Sequence, residues 1–210
     1  MKVVPFIYED EDDLMANTCI VIDNNDCVAI DPSKAYDGIV KFIEKNNLTL
    51  KAVLLTHGHF DHTRGVEILL HQYQVPLYIG FYDEDYLTSP YKNLSAFMKD
   101  GPHSLSVEAT TISDKEIIRE LKEDIEVIET PFHTRGSVCY YLKDSGVLFS
   151  GDTLFKSSIG RDDFPGSCPK EKDRSLSKLM NLPDDVKVYP GHGLFTFIGE
   201  EKKYNPFVKR

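Results

Sequence analysis

The sequence predicts an α/β chain built from two mixed sheets with helices on their outside, and three observations carry that expectation. Strand-like and helix-like segments are interspersed along the whole chain instead of separating into blocks. Hairpins occur alongside strand–helix–strand crossovers, so the sheets are mixed. The run Ala52-Val53-Leu54-Leu55 is apolar throughout, as expected of a strand covered on both faces.

Residues 3 to 8 read as the first strand. Residues 18 to 22 and 27 to 30 read as a hairpin turning at Asn24-Asn25 and ending in Asp31-Pro32. In that register Cys19 lies opposite Ile30 and Cys27 opposite Ile22, so the two thiols point to opposite faces and do not bridge. No C-x-x-C spacing links Cys19, Cys27, Cys139 and Cys168, which fits reduced thiols in a cytosolic protein. Residues 35 to 45 carry Ala35, Ile39, Val40, Phe42 and Ile43 at helical spacing, and Asn46-Asn47 closes that helix. After the apolar strand and a histidine-rich loop come a helix over 65 to 73 (Val66, Leu69, Leu70) and a strand at 77 to 79. The Tyr-, Asp- and Ser-rich stretch 81 to 104 is expected to be irregular, with one or two short helices. Further strands are expected at 106 to 107, 126 to 128, 137 to 142 and 147 to 149. A helix over 170 to 180, a strand at 186 to 189 and a last helix over 197 to 203 complete the chain.

No internal repeat and no Pro/Gly linker divides the 210 residues, so one domain over 1–210 is expected. The longest apolar runs are four to six residues, whereas a membrane helix needs ~20. The N-terminus has a lone Lys2 and runs into the acidic stretch 9 to 13, unlike a signal peptide, so a cytoplasmic protein is expected. A formal net charge of −10 argues against general nucleic-acid affinity, which needs a basic footprint.

The chain is organised around Thr56-His57-Gly58-His59-Phe60-Asp61-His62. It places three imidazoles and a carboxylate within six positions, in a protein with seven histidines. A strand would send these side chains to alternate faces and a regular helix would splay them around its axis. A tight loop leaving a buried strand can converge them, with Gly58 supplying the unusual backbone conformation. Imidazole and carboxylate are ligands that borderline divalent metals prefer, so the loop reads as a metal site rather than a solvated polar turn. His133, Asp152 and His192 each stand in a loop leaving an expected strand, the last two directly after glycine. With the first loop they complete seven N/O ligands, the number that two metals sharing one bridging carboxylate use. His71, on an expected helix, and His103, in the irregular stretch, read as surface residues.

T-H-G-H-F-D-H, P-F-H-T-R-G-S, S-G-D-T-L-F and Y-P-G-H-G, in that order, resemble the metallo-β-lactamase superfamily, and within it the glyoxalase II-like (hydroxyacylglutathione hydrolase-type) proteins. Residues 156 to 166 and the ending Asn205-Pro206-Phe207 look like its short single-domain members. The resemblance implies a four-layer αββα sandwich with the metals at one edge of the two sheets. It implies His57, His59 and His133 on the first metal, Asp61, His62 and His192 on the second, and Asp152 bridging. Asp31 matches a position that braces the metal loop. Two residues depart from the family pattern: Arg64 where glycine is usual, and Phe132 where a small residue is commoner. With about eighteen residues after His192, the C-terminal helical domain that supplies glutathione-binding residues in full-length members is not expected.

Two divalent ions, zinc with iron or manganese also compatible, would lower the pKa of a shared water from 15.7 toward ~7. Asp61 would orient the resulting hydroxide for attack on an acyl carbon. A thiolate leaves without a general acid because thiol pKa is only ~8.5, which favours a small-molecule thioester over an amide. Arg161 and Arg64 are candidates for holding a substrate carboxylate. A mononuclear iron persulfide dioxygenase, to which the G-R-x-D-F stretch is also similar, and a phosphodiesterase or nuclease of the same superfamily are the alternatives.

Overall fold

The apolar patterning resolves into two six-stranded sheets, one from each half of the chain, in a computed structural model that describes residues 1–7, 15–33, 36–99 and 101–208. Tyr8, the acidic run at 9–13 and Ala35 lie outside the described residues. The first sheet runs in chain order: β1 (Lys2–Phe6), β2 (Thr18–Asp23), β3 (Asp26–Ile30), β4 (Thr49–Leu54), β5 (Leu77–Gly80) and β6 (Thr110–Ile112). The strands β1 to β3 pair antiparallel, and β3 to β6 pair parallel. Parallel pairing requires crossovers. These are α1 (Tyr36–Lys45), between β3 and β4, α2 (Phe60–Thr63) with α3 (Val66–Tyr73), between β4 and β5, and the segment holding the 3₁₀ turns Phe81–Tyr86 and Ser95–Phe97, between β5 and β6.

The second sheet contains β7 (Ile117–Ile118), β8 (Ile125–Glu129), β9 (Val138–Leu142), β10 (Val147–Gly151), β11 (Lys187–Pro190) and β12 (Thr196–Phe197). Its neighbours are antiparallel except β10 and β11, which are parallel and joined through α4 (Lys172–Met180). The last helix, α5, spans Ile198–Tyr204.

Three apolar clusters make the layers. Val21, Val28 and Leu54 of the first sheet meet Val127, Tyr140 and Phe149 of the second in the central core. Ile39 and Ile43 of α1 and Val66 and Leu69 of α3 cover the outer face of the first sheet. Leu176 and Leu179 of α4 and Ile198 of α5 cover the outer face of the second. The result is the expected αββα sandwich, with strands such as β9 buried at every position. The hairpin register is as expected: Cys19 pairs with Ile30 and faces the central core, while Cys27 pairs with Ile22 and faces the outer one. All four cysteines are free. Asn47 ends α1 in a left-handed conformation (φ 51°), where the Leu48 N–H reaches back to the Ile43 carbonyl.

Two local expectations are corrected. No strand forms at 106–107: the free edge of β5 is taken by Thr110–Ile112, and Val107 packs into the outer core instead. The histidine-rich segment is not a pure loop, because Phe60–Thr63 makes one helical turn that carries Asp61 and His62.

The buried Tyr140 hydroxyl donates to the Leu55 carbonyl at 2.7 Å, linking the second sheet to the point where β4 gives way to the histidine-rich segment. Tyr140→Phe leaves that carbonyl without this donor, and urea denaturation is expected to show a loss of about 1–3 kcal/mol.

Candidate metal centre

Every chemically distinctive loop leaves the C-terminal end of a strand at one edge of the sandwich. Strand β4 leads into Thr56 to His62, β8 into His133, β10 into Asp152, β11 into His192 and β3 into Asp31. The pairs β3/β4 and β10/β11 are parallel, so their C-terminal ends open on the same side of each sheet.

The seven residues expected as ligands converge. His57 Nε2 and His133 Nε2 lie 3.1 and 3.0 Å from His59 Nδ1, so three imidazole nitrogens surround one point. His192 Nε2 and His62 Nε2 lie 3.2 and 3.7 Å from Asp61 Oδ2, forming a second group. Asp152 stands between them, with Oδ2 at 3.4 Å from His133 Nε2 and Oδ1 at 3.4 Å from His62 Nε2. His57, His62 and Asp152 also form a group of metal-holding geometry. The buried His62 Nε2 and Asp152 Oδ1 face each other without a hydrogen bond. Such orphaned polar atoms are costly unless a cation lies between them. The donor set therefore fits two divalent ions.

Two buried carboxylates brace these loops. Asp31, itself at φ 49°, accepts the Thr56 N–H at 2.8 Å and the Thr56 hydroxyl at 2.7 Å. Its Oδ2 lies 3.0 Å from His62 Nδ1, which leaves His62 Nε2 for the centre. Asp83, in the 3₁₀ turn Phe81–Tyr86, was not singled out by the sequence. It accepts the Gly58 N–H (3.0 Å), the Thr134 hydroxyl (2.7 Å) and the Gly136 N–H (2.8 Å), tying the His57/His59 segment to the His133 loop. Asn17 was also missed. It donates from Nδ2 to the carbonyls of Pro190 and Gly193, on either side of His192. Only a signal such as N-T-C before a strand marks Asn17, and one Asp among several in Y-D-E-D-Y marks Asp83.

The reason for Gly58 is corrected. It does not adopt a positive φ; a Cβ there would run into the Tyr86 side chain. Gly191 serves the same kind of close approach, because a Cβ would collide with Asp152 Oδ1 and come within 2.7 Å of the His62 ring.

Charge is distributed to match. Burial and the neighbouring imidazoles hold His57 well below its usual range and bring His59 down to about 3, so both are neutral and able to ligate. Burial opposes charge on His62, but Asp31, Asp61 and Asp152 outweigh it and push its pKa well up. Burial likewise opposes charge on Asp152, whose carboxyl His192 and His62 hold well below the usual range. His192 is raised by Asp152 and Asp61 against its burial.

The exposed Arg161 does not present a free guanidinium to a substrate. Asp163 takes it in a bidentate pair at 2.9 Å for both contacts, and it lies 4.3 Å from the Phe164 ring centre. Its carbonyl is what engages the site, accepting from His133 Nδ1 at 2.7 Å and so directing Nε2 inward. Arg64 sits over the Phe60 ring at 5.0 Å and reaches Met15 Sδ. Phe132 is fully buried in the outer core of the second sheet, anchoring the His133 loop. His71 is exposed and His103 half-buried, and neither belongs to the groups described above.

Asp83→Asn replaces one carboxylate oxygen with an amide NH2, which then faces the Gly58 or the Gly136 N–H, each of which requires an acceptor. Urea denaturation is expected to show a loss of about 1–3 kcal/mol. Metal uptake should release protons, because the neighbouring carboxylates raise the pKa of His62 and His192, and both must be neutral to ligate. Affinity therefore falls as pH falls. Calorimetry of metal uptake in buffers of different ionisation enthalpy checks this, and a buffer-independent heat would contradict it.

The sequence profile of the metallo-beta-lactamase superfamily matches residues 12–192. An uncharacterized protein of Mycobacterium leprae is 37% identical over 93% of this chain and 94% of its own length. The Haemophilus influenzae protein named hydroxyacylglutathione hydrolase GloC is 31% identical over 89% of each chain. Among solved structures, the BLEG-1 B3 metallo-beta-lactamase superposes with a TM-score of 0.92 at 30% identity, covering 100% of both chains. A di-iron-bound form of TTHA1623 gives 0.85 at 29% identity, over 98% of this chain and 100% of that one. ETHE1 from Myxococcus xanthus gives 0.78 at 26% identity, over 98% of this chain and 84% of that one. With the fold, the ordered motifs and a profile match across most of its length, this chain belongs to the metallo-beta-lactamase superfamily.

Proposed function

We propose that this protein is a dinuclear metal-dependent hydrolase of small-molecule thioesters. The observation that carries the reading is Asp152, whose two carboxylate oxygens reach one histidine from each ligand group at 3.4 Å. His57, His59 and His133 would hold one ion, Asp61, His62 and His192 the other, and Asp152 both. Divalent ions bound there supply a water of lowered pKa and a Lewis acid for the acyl oxygen.

The chain's own residues do the rest. Side-chain exposure is 33% at His192 and 15% at Asp61, against 3% at His133 and 0% at His62, so solvent reaches the centre on the His192 side. Asp61 is partly exposed there, and its carboxylate oxygen not spent on the ion can accept a hydrogen bond from the attacking water, orienting it toward the acyl carbon. A thiolate departs without a proton donor because thiol pKa is only ~8.5, which suits a site whose imidazoles are all engaged as ligands. The likeness to a protein named hydroxyacylglutathione hydrolase supports this chemistry.

An iron-dependent persulfide dioxygenase, with one metal on two histidines and an aspartate, is the second reading, and a di-iron-bound relative keeps iron in view. The complete Asp61/His62/His192 group favours the dinuclear hydrolase.

Elemental analysis of the purified protein, coupled to a thioester panel, tests the proposal. Two metals per chain and thioester hydrolysis are expected; one iron with oxygen uptake would establish the second reading. His59→Ala and Asp61→Ala should each lower kcat/KM by more than about 100-fold, the upper end of losses seen for outer-sphere partners. Far-UV circular dichroism should show the fold retained. Wild-type activity in either variant would remove the mechanism.

A further inference from the structure

Beside the metal centre a cleft of about 500 Å³ opens between the Phe81–Tyr86 turn and the strap at Pro165 and Gly166. Its walls are tied to the ligands. Tyr86 lines the cleft and sets its ring 5.9 Å from that of His59. Arg135 stands two residues beyond His133. Phe164, beside Pro165, packs 5.7 Å from His59 and 6.0 Å from His133.

The lining is chemically selective. Phe81, Tyr82 and Tyr91 are 55%, 46% and 59% exposed, and all three border this one concavity. Large aromatic rings gathered in a cleft beside a reactive centre are the usual make-up of a small-molecule site. The Arg135 guanidinium lies 4.1 Å from the Tyr82 ring centre, and no carboxylate among the described residues is seen to pair with it. Lys92 differs, being ion-paired with Asp85. Glu84 is the remaining charge on the wall and would repel a second negative group. One available cation, flat apolar walls and one nearby acid together suit a single anionic group on a flat arm.

We propose that this cleft binds the part of the substrate beyond the scissile bond, and that it selects a flat apolar arm ending in a carboxylate held by Arg135. The identity of the scissile group rests on the hydrolase reading; occupancy of the cleft does not.

The test uses metal-loaded enzyme and paired acetyl thioesters of phenylalkyl thiols, ending in carboxylate or carboxamide. Wild-type enzyme should show the lower KM for the carboxylate. Arg135→Gln should raise that KM about tenfold, the effect of one lost hydrogen bond to a charged group, with kcat and the carboxamide KM unchanged. Tyr82→Ala should raise KM for both. Equilibrium dialysis with the non-cleavable thioether analogues gives a readout independent of turnover, and Arg135→Gln should again weaken only the carboxylate. If the wild type cleaves no thioester, the hydrolase reading fails and dialysis still decides the cleft. Equal binding of the carboxylate by wild type and Arg135→Gln would overturn the proposal, since the anion would then be held elsewhere. Loss of the preference in Arg161→Gln alone would assign the anion to the strap and overturn it equally.

Discussion

Two buried carboxylates, Asp31 and Asp83, hold apart and align the loops on which the candidate centre depends. Four imidazoles with at most 3% exposure lie together here, beside two carboxylates. Polar groups packed this closely are unfavourable unless each is hydrogen-bonded, ion-paired or coordinated. Asp31 satisfies the Thr56 amide and hydroxyl and meets His62 from behind. Asp83 satisfies the Gly58 and Gly136 amides and the Thr134 hydroxyl. Each carboxylate accepts a backbone N–H and a hydroxyl from these loops, and Asp31 also meets the His62 ring, so loop position and ring orientation are set together. Burial pushes the Asp83 carboxyl up to about 6 despite those three donors.

The sandwich supplies the frame that those carboxylates complete. Apolar residues of both sheets interlock in the central core, and helices seal both outer faces. Strand ends at one edge then have nowhere to go except toward one another. Tyr140 crosses from the second sheet to the Leu55 carbonyl and fixes the height at which β4 gives way to the ligand segment. Gly58 and Gly191 matter for the same reason: the loops approach so closely that a Cβ at either position would collide. Function and packing therefore meet at the same residues, and the side where His192 and Asp61 are partly exposed is the one open to solvent.

Much of the architecture was legible from local pattern. The hairpin register, the close of α1 at Asn47 and the doubly covered β4 follow from periodicity and turn chemistry, and the irregular stretch 81 to 104, expected to hold one or two short helices, carries two 3₁₀ turns. The strand expected at 106–107 failed because a two-residue apolar alternation does not identify its partner, and β5 pairs with 110–112 instead. The helical turn at Phe60–Thr63 escaped because four residues are too few to show a period.

The chain's sequence by itself picked out the seven candidate ligands that the fold brings together, since His and Asp side chains at strand ends carry their chemistry wherever they stand. It also determined the layered class, because alternation and helical spacing are local properties. Only the tertiary structure decided which groups hold those ligands in place. Asp83 is 25 residues from Gly58 and 53 from Gly136, Asn17 is 173 from Pro190, and Arg161 acts on His133 through its carbonyl rather than its charge. Contacts across such separations depend on how the two sheets dock, which no local pattern encodes.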